Sequence, residues 1–221
     1  GETLGLVGES GSGKSTLGYS LMNLIEKAKG EIYFENRLIS NLNKKELREL
    51  RKDIQIIFQN PFSSLNPRIR IGEALEEVLK VHKIGNNSKE RKEEVIKMLE
   101  RVGLEKEHYN RYPHEFSGGQ RQRIGIARSL LLRPKIVICD ESVSALDVRV
   151  QAQILSLLNE LKKEFSLTYI FITHDLGVVR FMSDRIMVMQ RGEIVEMERT
   201  DKLFENPQTQ YTQKLISSIP N

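Results

Sequence analysis

Gly8-Glu9-Ser10-Gly11-Ser12-Gly13-Lys14-Ser15-Thr16 is the stretch on which the fold turns. It satisfies G-x-x-x-x-G-K-[ST] and follows Leu4-Gly5-Leu6-Val7, an apolar run of strand length. Residues 14–25, which come next, carry helical spacing. Glycines let the backbone turn tightly, so that successive N–H groups point inward at anionic oxygens. The helix that opens at Lys14 brings its positive dipole end to the same place. Lys14 supplies a point charge for the β- and γ-phosphates, and Ser15 a hydroxyl for Mg²⁺. A glycine-rich turn can also do no more than join a strand to a helix. Lysine and serine at the start of the helix favour the phosphate reading, with Gly8, Glu9, Ser10, Gly11, Ser12, Gly13, Lys14, Ser15 and Thr16 as the nucleotide-binding set.

Outward from this loop the chain alternates. Residues 31–34 read as a short strand, and residues 54–58 as a stronger one that ends at Gln59 before Pro61. Further on come a strand over 136–140, a helix over 148–165, a strand over 168–173 and a helix over 176–182. Such alternation implies an α/β fold with a mostly parallel sheet covered by helices. A hairpin over 185–190 and 193–197, turning at Arg191-Gly192, precedes a short helical tail. Between about residues 63 and 113 the character changes. Residues 71–83 and 89–102 carry apolar positions at helical spacing, joined by the polar Gly85-Asn86-Asn87-Ser88. This reads as a helical lobe inserted into one domain spanning 1–221, with the helix over 117–132, closed by Pro134, packing with it. Asn43-Lys44-Lys45-Glu46 lacks the closing Asp of a guanine-reading motif and is read as a solvated helix start.

Composition narrows the function classes. With 221 residues, one substantial core and a smaller lobe are possible. No apolar run is long enough to cross a bilayer, so the chain forms no membrane pore by itself. A net charge of +4 is spread through the sequence; it is compatible with an anionic ligand or a membrane surface and reads first as a solvated basic surface. Neither a basic tail nor a basic–aromatic ladder argues for nucleic acid. Cys139 is the sole cysteine, which rules out an internal disulfide; its place in an apolar strand makes it a buried structural thiol.

A second constellation tells which nucleotide machine this is, since GTPases, kinases and transporters share the phosphate loop. Phe116-Ser117-Gly118-Gly119-Gln120 opens a helix, and the strand Ile136-Val137-Ile138-Cys139 delivers Asp140 and Glu141 at its C-terminal end. Ligands collect at that end of open α/β sheets. Adjacent carboxylates there can divide the labour, Asp140 holding Mg²⁺ through water and Glu141 orienting or deprotonating the attacking water. Asp-Glu can also be a plain polar exit from a strand, and the pair alone leaves that open.

Taken together, these residues resemble the ABC-transporter ATPase domain over essentially the whole chain. Ser117-Gly118-Gly119-Gln120 is similar to its signature, with Phe116 where Leu is commonest. Gln59 looks like the Q-loop, Ser144-Ala145-Leu146-Asp147 the D-loop, and His174, after Tyr169-Ile170-Phe171-Ile172-Thr173, the switch histidine. His82, His108 and His114 have no such placement and are expected in surface or local structural roles. The pattern departs at Ser142, where the family usually has Pro; the turn is expected to loosen without loss of either carboxylate.

The resemblance implies a P-loop NTPase (RecA-like) core with an inserted helical subdomain, binding ATP and Mg²⁺. It implies a head-to-tail dimer with a second such subunit, a paralogue or another copy. The Gly8–Thr16 loop of one chain would face Ser117, Gly118, Gly119, Gln120 and Asp147 of the other. Glu141 would be the general base, His174 a γ-phosphate contact, and Ser15, Gln59 and Asp140 the surroundings of the metal. Two transmembrane permease subunits would dock at the Gln59 region and the helical lobe, at the cytoplasmic face of a bacterial membrane. A separate substrate-binding protein would choose the cargo, and nucleic acid is not expected as a partner. Further N-terminal strands and an adenine-stacking aromatic residue are expected before Gly1, and a chain without them is expected to hold ATP more weakly.

Several stretches look like one branch. These are Phe58-Gln59-Asn60-Pro61-Phe62-Ser63-Ser64-Leu65-Asn66-Pro67-Arg68, Tyr112-Pro113-His114-Glu115-Phe116, Gln151-Ala152-Gln153, and Asn206-Pro207 with Tyr211-Thr212-Gln213-Lys214-Leu215. They resemble the ATP-binding subunits of bacterial oligopeptide and dipeptide permeases, especially the second, F-type, of the usual pair. Nickel, glutathione and oligosaccharide importers are the alternative. ABC ATPases that act on nucleic acid carry a long coiled coil where this chain has a compact lobe.

Overall fold

The computed structural model of the chain describes residues 1–25, 29–59 and 65–218. Six strands form one sheet in the order β4-β5-β6-β1-β7-β8, comprising β4 (Ile54–Ile57), β5 (Ile136–Asp140), β6 (Thr168–Ile172), β1 (Thr3–Val7), β7 (Arg185–Gln190) and β8 (Glu193–Arg199). All neighbours are parallel except β7 and β8. That exception is the expected hairpin, turning on Arg191 and Gly192, both at positive φ.

Strand sequences explain why the sheet is covered on both faces. Along β5, Val137 and Cys139 enter one apolar cluster and Ile138 another; along β6, Tyr169 and Phe171 part from Ile172 in the same way. Period-two alternation thus buries both sides, as parallel sheets require. One face is covered by α1 (Lys14–Leu21) and α2 (Lys44–Asp53). The other is covered by α5 (Gly118–Leu130) and α6 (Val148–Phe165), with α3 (Ile71–Val81) and α4 (Ser88–Arg101) contributing to the same cluster. A third cluster joins α7 (Leu176–Met182) to β7 and to α8 (Thr200–Glu205) and α9 (Gln210–Ser217).

The register sets the site. Leu6 and Asp140 both lie beside Ile172, so β1, β5 and β6 end in one row. Ile57 pairs with Cys139, which brings the end of β4 alongside. Residues 8–16, 58–59, 141–144 and 173–175 therefore leave the sheet from a common edge.

Some expectations shift. The first helix ends at Leu21, short of residue 25, because Asn23 turns the chain at φ 50. The strand expected over 31–34 is β2 (Tyr33–Phe34), paired antiparallel with a strand the sequence did not announce, β3 (Arg37–Leu38). Glu35 and Asn36 make that turn, both at positive φ as a two-residue hairpin demands. Asn43 is a helix start: its side chain accepts from Lys45 N and Glu46 N, and Glu46 returns a bond to Asn43 N. The signature helix contacts α3, α4, α6 and β4. Asn60, Pro61, Phe62, Ser63 and Ser64, which carry part of the branch-like stretch and the first positions of the expected lobe, lie outside the described residues.

Candidate functional site

The phosphate loop leaves β1 against the β7–β8 turn. A Cβ on Gly8 would sit 2.1 Å from the Met189 carbonyl oxygen, so only glycine permits this approach. Helix α1 then starts at Gly13 with no side-chain cap, whereas Asn43, Asn87, Ser117, Asp147, Asp175 and Thr209 each cap their own helices. A helix start without an internal acceptor presents its amides to an external anion. Lys14, 5% exposed, donates to the carbonyls of Gly8 (2.8 Å) and Glu9 (2.9 Å), which holds the loop closed around its side chain. Burial lowers the Lys14 pKa, against the pull of Glu141 and Asp140.

Across the row, Ser15 Oγ donates to Asp140 Oδ1 at 2.8 Å. Glu141 follows at φ 45, a left-handed conformation that costs a residue with a Cβ about 1–2 kcal/mol. It is held there by its N–H donating to Ile172 O. Around its carboxylate, Gln59 Nε2 donates to Oε2 at 3.2 Å and His174 Nδ1 lies 3.3 Å from Oε1. Gln59 also donates to Ser144 Oγ, whose proton goes to the Glu141 carbonyl oxygen at 2.9 Å. The turn at Ser142 is therefore tied by Ser144, which bonds Glu141 O through both its N–H and its hydroxyl, in place of the stiffness a Pro ring would give.

Phosphate-loop lysine, hydroxyl, two carboxylates, amide and imidazole are thus gathered at one sheet edge. Gln59 lies on Glu141 and not on the Ser15–Asp140 pair. The Ser15 hydroxyl with one carboxylate is an oxygen donor set of the kind that suits Mg²⁺, which takes few protein ligands and keeps water and phosphate for the rest. Among the described residues no cluster of three His, Cys, Asp or Glu side chains could hold a metal without such help.

The signature is elsewhere. Ser117 N donates to Gln120 Oε1 (3.0 Å) and Gln120 N to Ser117 Oγ (3.3 Å), a capping box that starts α5. Ser117 and Gly118 are exposed, and among the described residues no hydrogen bond joins 117–120 to 8–16. Asp147 Oδ1 accepts from Val150 N and starts α6. A Cβ on Gly119 would meet Val150 Cγ1 at 2.6 Å, so this glycine lets α5 and α6 approach.

Two site residues were not picked out by their motif. Tyr19 donates to Asp140 Oδ2 at 2.7 Å; its place one turn after Ser15 was the available signal. Tyr211 on α9 accepts from Glu9 N at 3.0 Å, a contact over 202 positions that no local pattern carries. Burial first, then the bond to Asp140, pushes the Tyr19 phenol up to about 12, so it remains a donor. Cys139 and two of the histidines take local structural places. Burial raises the Cys139 thiol to about 12, His108 accepts locally from Glu105 N, and His114 stacks on Tyr112.

Three comparisons bear on this site. A family model described as ABC transporter matches residues 1–144. The chain is 53% identical over 221 residues to the oligopeptide transport ATP-binding protein OppF of Bacillus subtilis (strain 168), covering all of this chain and 72% of that protein. It is also 53% identical over 220 residues to the glutathione import ATP-binding protein GsiA of Pectobacterium atrosepticum, spanning 35% of that longer protein. Among solved structures, the ATP-binding cassette MJ0796, dimeric in a post-hydrolysis state with ADP and Pi, superposes with a TM-score of 0.79 at 33% identity over 90% of this chain and 85% of that one. cbiO1 from Clostridium perfringens, part of the cbiONQ transporter complex, gives 0.82 at 29% identity over 93% and 80%.

Proposed function

The chain belongs to the ABC transporter family, and from that premise we propose that it is the ATP-hydrolysing subunit energising uptake of oligopeptides or dipeptides through separate membrane subunits. The observation that carries the ATPase reading is the sheet edge, where an uncapped helix start, Lys14, the Ser15–Asp140 pair and Glu141 converge. Lys14 and the loop amides bind the β- and γ-phosphates of ATP. Ser15 and Asp140 would hold the Mg²⁺ site; Gln59, bonded to Glu141 in this structure, would have to leave that carboxylate to join the metal's surroundings. Mg²⁺ bound there would supply charge that offsets the negative charge on the phosphoryl oxygens. Glu141 takes a proton from the attacking water, and its two neighbours, Gln59 and His174, fix the carboxylate for that task. His174, 58% exposed at its side chain, would reach the γ-phosphate by turning away from Glu141.

The second half of the site comes from another chain in a head-to-tail dimer, a paralogue or a second copy, through Ser117, Gly118, Gly119, Gln120 and Asp147. Ser117 Oγ accepts from Gln120 N, and its proton has no acceptor among the described bonds, so a partner's phosphate can receive it. Residues 65–113, the described part of the expected lobe, act as the helical subdomain. Between α2, β4 and α3 lies a cleft of about 530 Å³, lined by Met22, Arg51, Phe58, Val78, Val81 and Arg128. With Phe58 and Val81 exposed beside basic side chains, it fits a helical segment of a permease. No described helix is long and apolar enough to cross a membrane. On this reading the channel belongs to the permease subunits, with the chain at their cytoplasmic face.

Peptide cargo rests on the similarity to OppF; the similarity to GsiA favours glutathione, itself a small peptide, as the second reading. The test is transport. Cells whose only copy carries Lys14→Ala should lose accumulation of a labelled tripeptide. Unchanged peptide uptake with lost glutathione uptake would move the cargo to the second reading.

A further inference from the structure

Asp140 is bonded at both carboxylate oxygens, and only one of those bonds belongs to the phosphate-loop motif. Ser15 Oγ donates to Oδ1 and the Tyr19 hydroxyl to Oδ2. Ser15 and Tyr19 stand four residues apart on α1, so they reach the carboxylate from one helix face. Asp140 is only 4% exposed, and water is poorly placed to take over either bond. The Tyr19 ring is supported in turn by Phe58, with centroids 6.4 Å apart and planes tilted by 52°.

This arrangement acts on the direction of the Ser15 lone pairs. A hydroxyl has one proton and two acceptor sites; with the proton committed to Oδ1, the lone pairs are turned away from Asp140 and left for another partner. The commitment lasts only while the carboxylate keeps its plane. Without a donor at Oδ2, Asp140 rotates about its χ2 bond, a broad torsion, and the Ser15 hydroxyl loses its fixed acceptor. Partners of this outer kind commonly decide tenfold or more of metal affinity.

We propose that Tyr19 is a positioning residue of the divalent-cation site: by clamping Asp140 at Oδ2 it keeps Oδ1 on the Ser15 hydroxyl and so presents the Ser15 oxygen to the cation. This rests on the ATPase reading of the same site. In this role Tyr19 acts through Asp140 and not on the cation itself.

The test compares wild type with Tyr19→Phe in the full-length protein, since the substitution keeps the ring on Phe58 and removes only the hydroxyl. Mn²⁺ serves as the probe, its binding in the presence of ADP followed by electron paramagnetic resonance. ADP affinity in EDTA is measured in parallel and also reports whether the variant is folded. Mn²⁺ binding should weaken about tenfold in Tyr19→Phe, with ADP affinity in EDTA unchanged. Equal Mn²⁺ affinity in the two proteins would overturn the proposal. An equal loss of ADP affinity without metal would overturn it too, because Tyr19 would then support the loop in general. Failure of the wild type to bind Mn²⁺ with ADP would instead sink the ATPase reading beneath it.

Discussion

Two glycine-rich loops each open a helix in this chain, and they are built in opposite ways. The loop before α1 has no side-chain cap; besides its own Lys14 it is held from far away, by Asp140 on Ser15 and by Tyr211 on Glu9. The loop before α5 satisfies itself, Ser117 and Gln120 exchanging bonds three residues apart, and it stands exposed. The first is a receptor whose amides are kept for a ligand and whose shape is set by the rest of the fold. The second is capped by its own residues, and among the described residues no hydrogen bond ties it to the phosphate loop. The proposed composite site joins the two from different chains.

The largest effect should come from the base. Glu141→Gln should lower turnover by about 10²–10⁴-fold with ATP binding retained, as measured by hydrolysis and by equilibrium binding of a fluorescent analogue. Near-normal hydrolysis would remove Glu141 from its role. Ser117→Ala sharpens the contrast between the loops. It should cost about 1 kcal/mol of stability through the lost cap and slow turnover about tenfold, yet leave ADP binding by the isolated chain unchanged. Weakened ADP binding there would place the signature in the same site as its own phosphate loop. Tyr211→Phe should raise the KM for ATP about two- to fivefold with little change in kcat, since it loosens only the outer turn of the phosphate loop at Glu9. The smallest effect lies at the far end of β1, where Asp184 accepts from Thr3 N (2.7 Å) and Lys162 Nζ (2.9 Å). Partial burial opposes its ionisation, but Thr3 N–H and Lys162 prevail and lower its pKa. Its stabilisation is therefore full above the unfolded value of 3.8 and is lost as pH falls through the lower folded value. Asp184→Asn should cost about 0.5–1 kcal/mol near neutrality, kept small by solvent screening, and the difference should vanish in acid denaturation series below that range.

The contrast also explains what the sequence disclosed. Ser117 and Gln120, or Asn43 and Glu46, meet within one helical turn, so a capping box is readable from spacing alone. The apolar runs along β5 and β6, set between helical stretches, likewise disclosed the buried parallel strands. Ser15 and Asp140 were each legible as motif residues, though their contact spans 125 positions and needed the strand register to be seen. Tyr19 and Tyr211 escaped because a phenol on a helix is ordinary in sequence; only the fold aims one at Asp140 and the other at Glu9. The β2–β3 hairpin escaped for a different reason: two-residue strands carry no periodicity, and Glu35-Asn36 is a weaker turn signal than Asn-Gly.

The central claim is that one chain holds half a site. It is tested most directly by measuring Mg²⁺-dependent ATP hydrolysis per chain against protein concentration, with Glu141→Gln as the background. The composite site predicts specific activity that climbs with concentration as chains pair, and none in the variant. Specific activity that is the same at every concentration, in a protein shown to be monomeric with ATP bound, would contradict it.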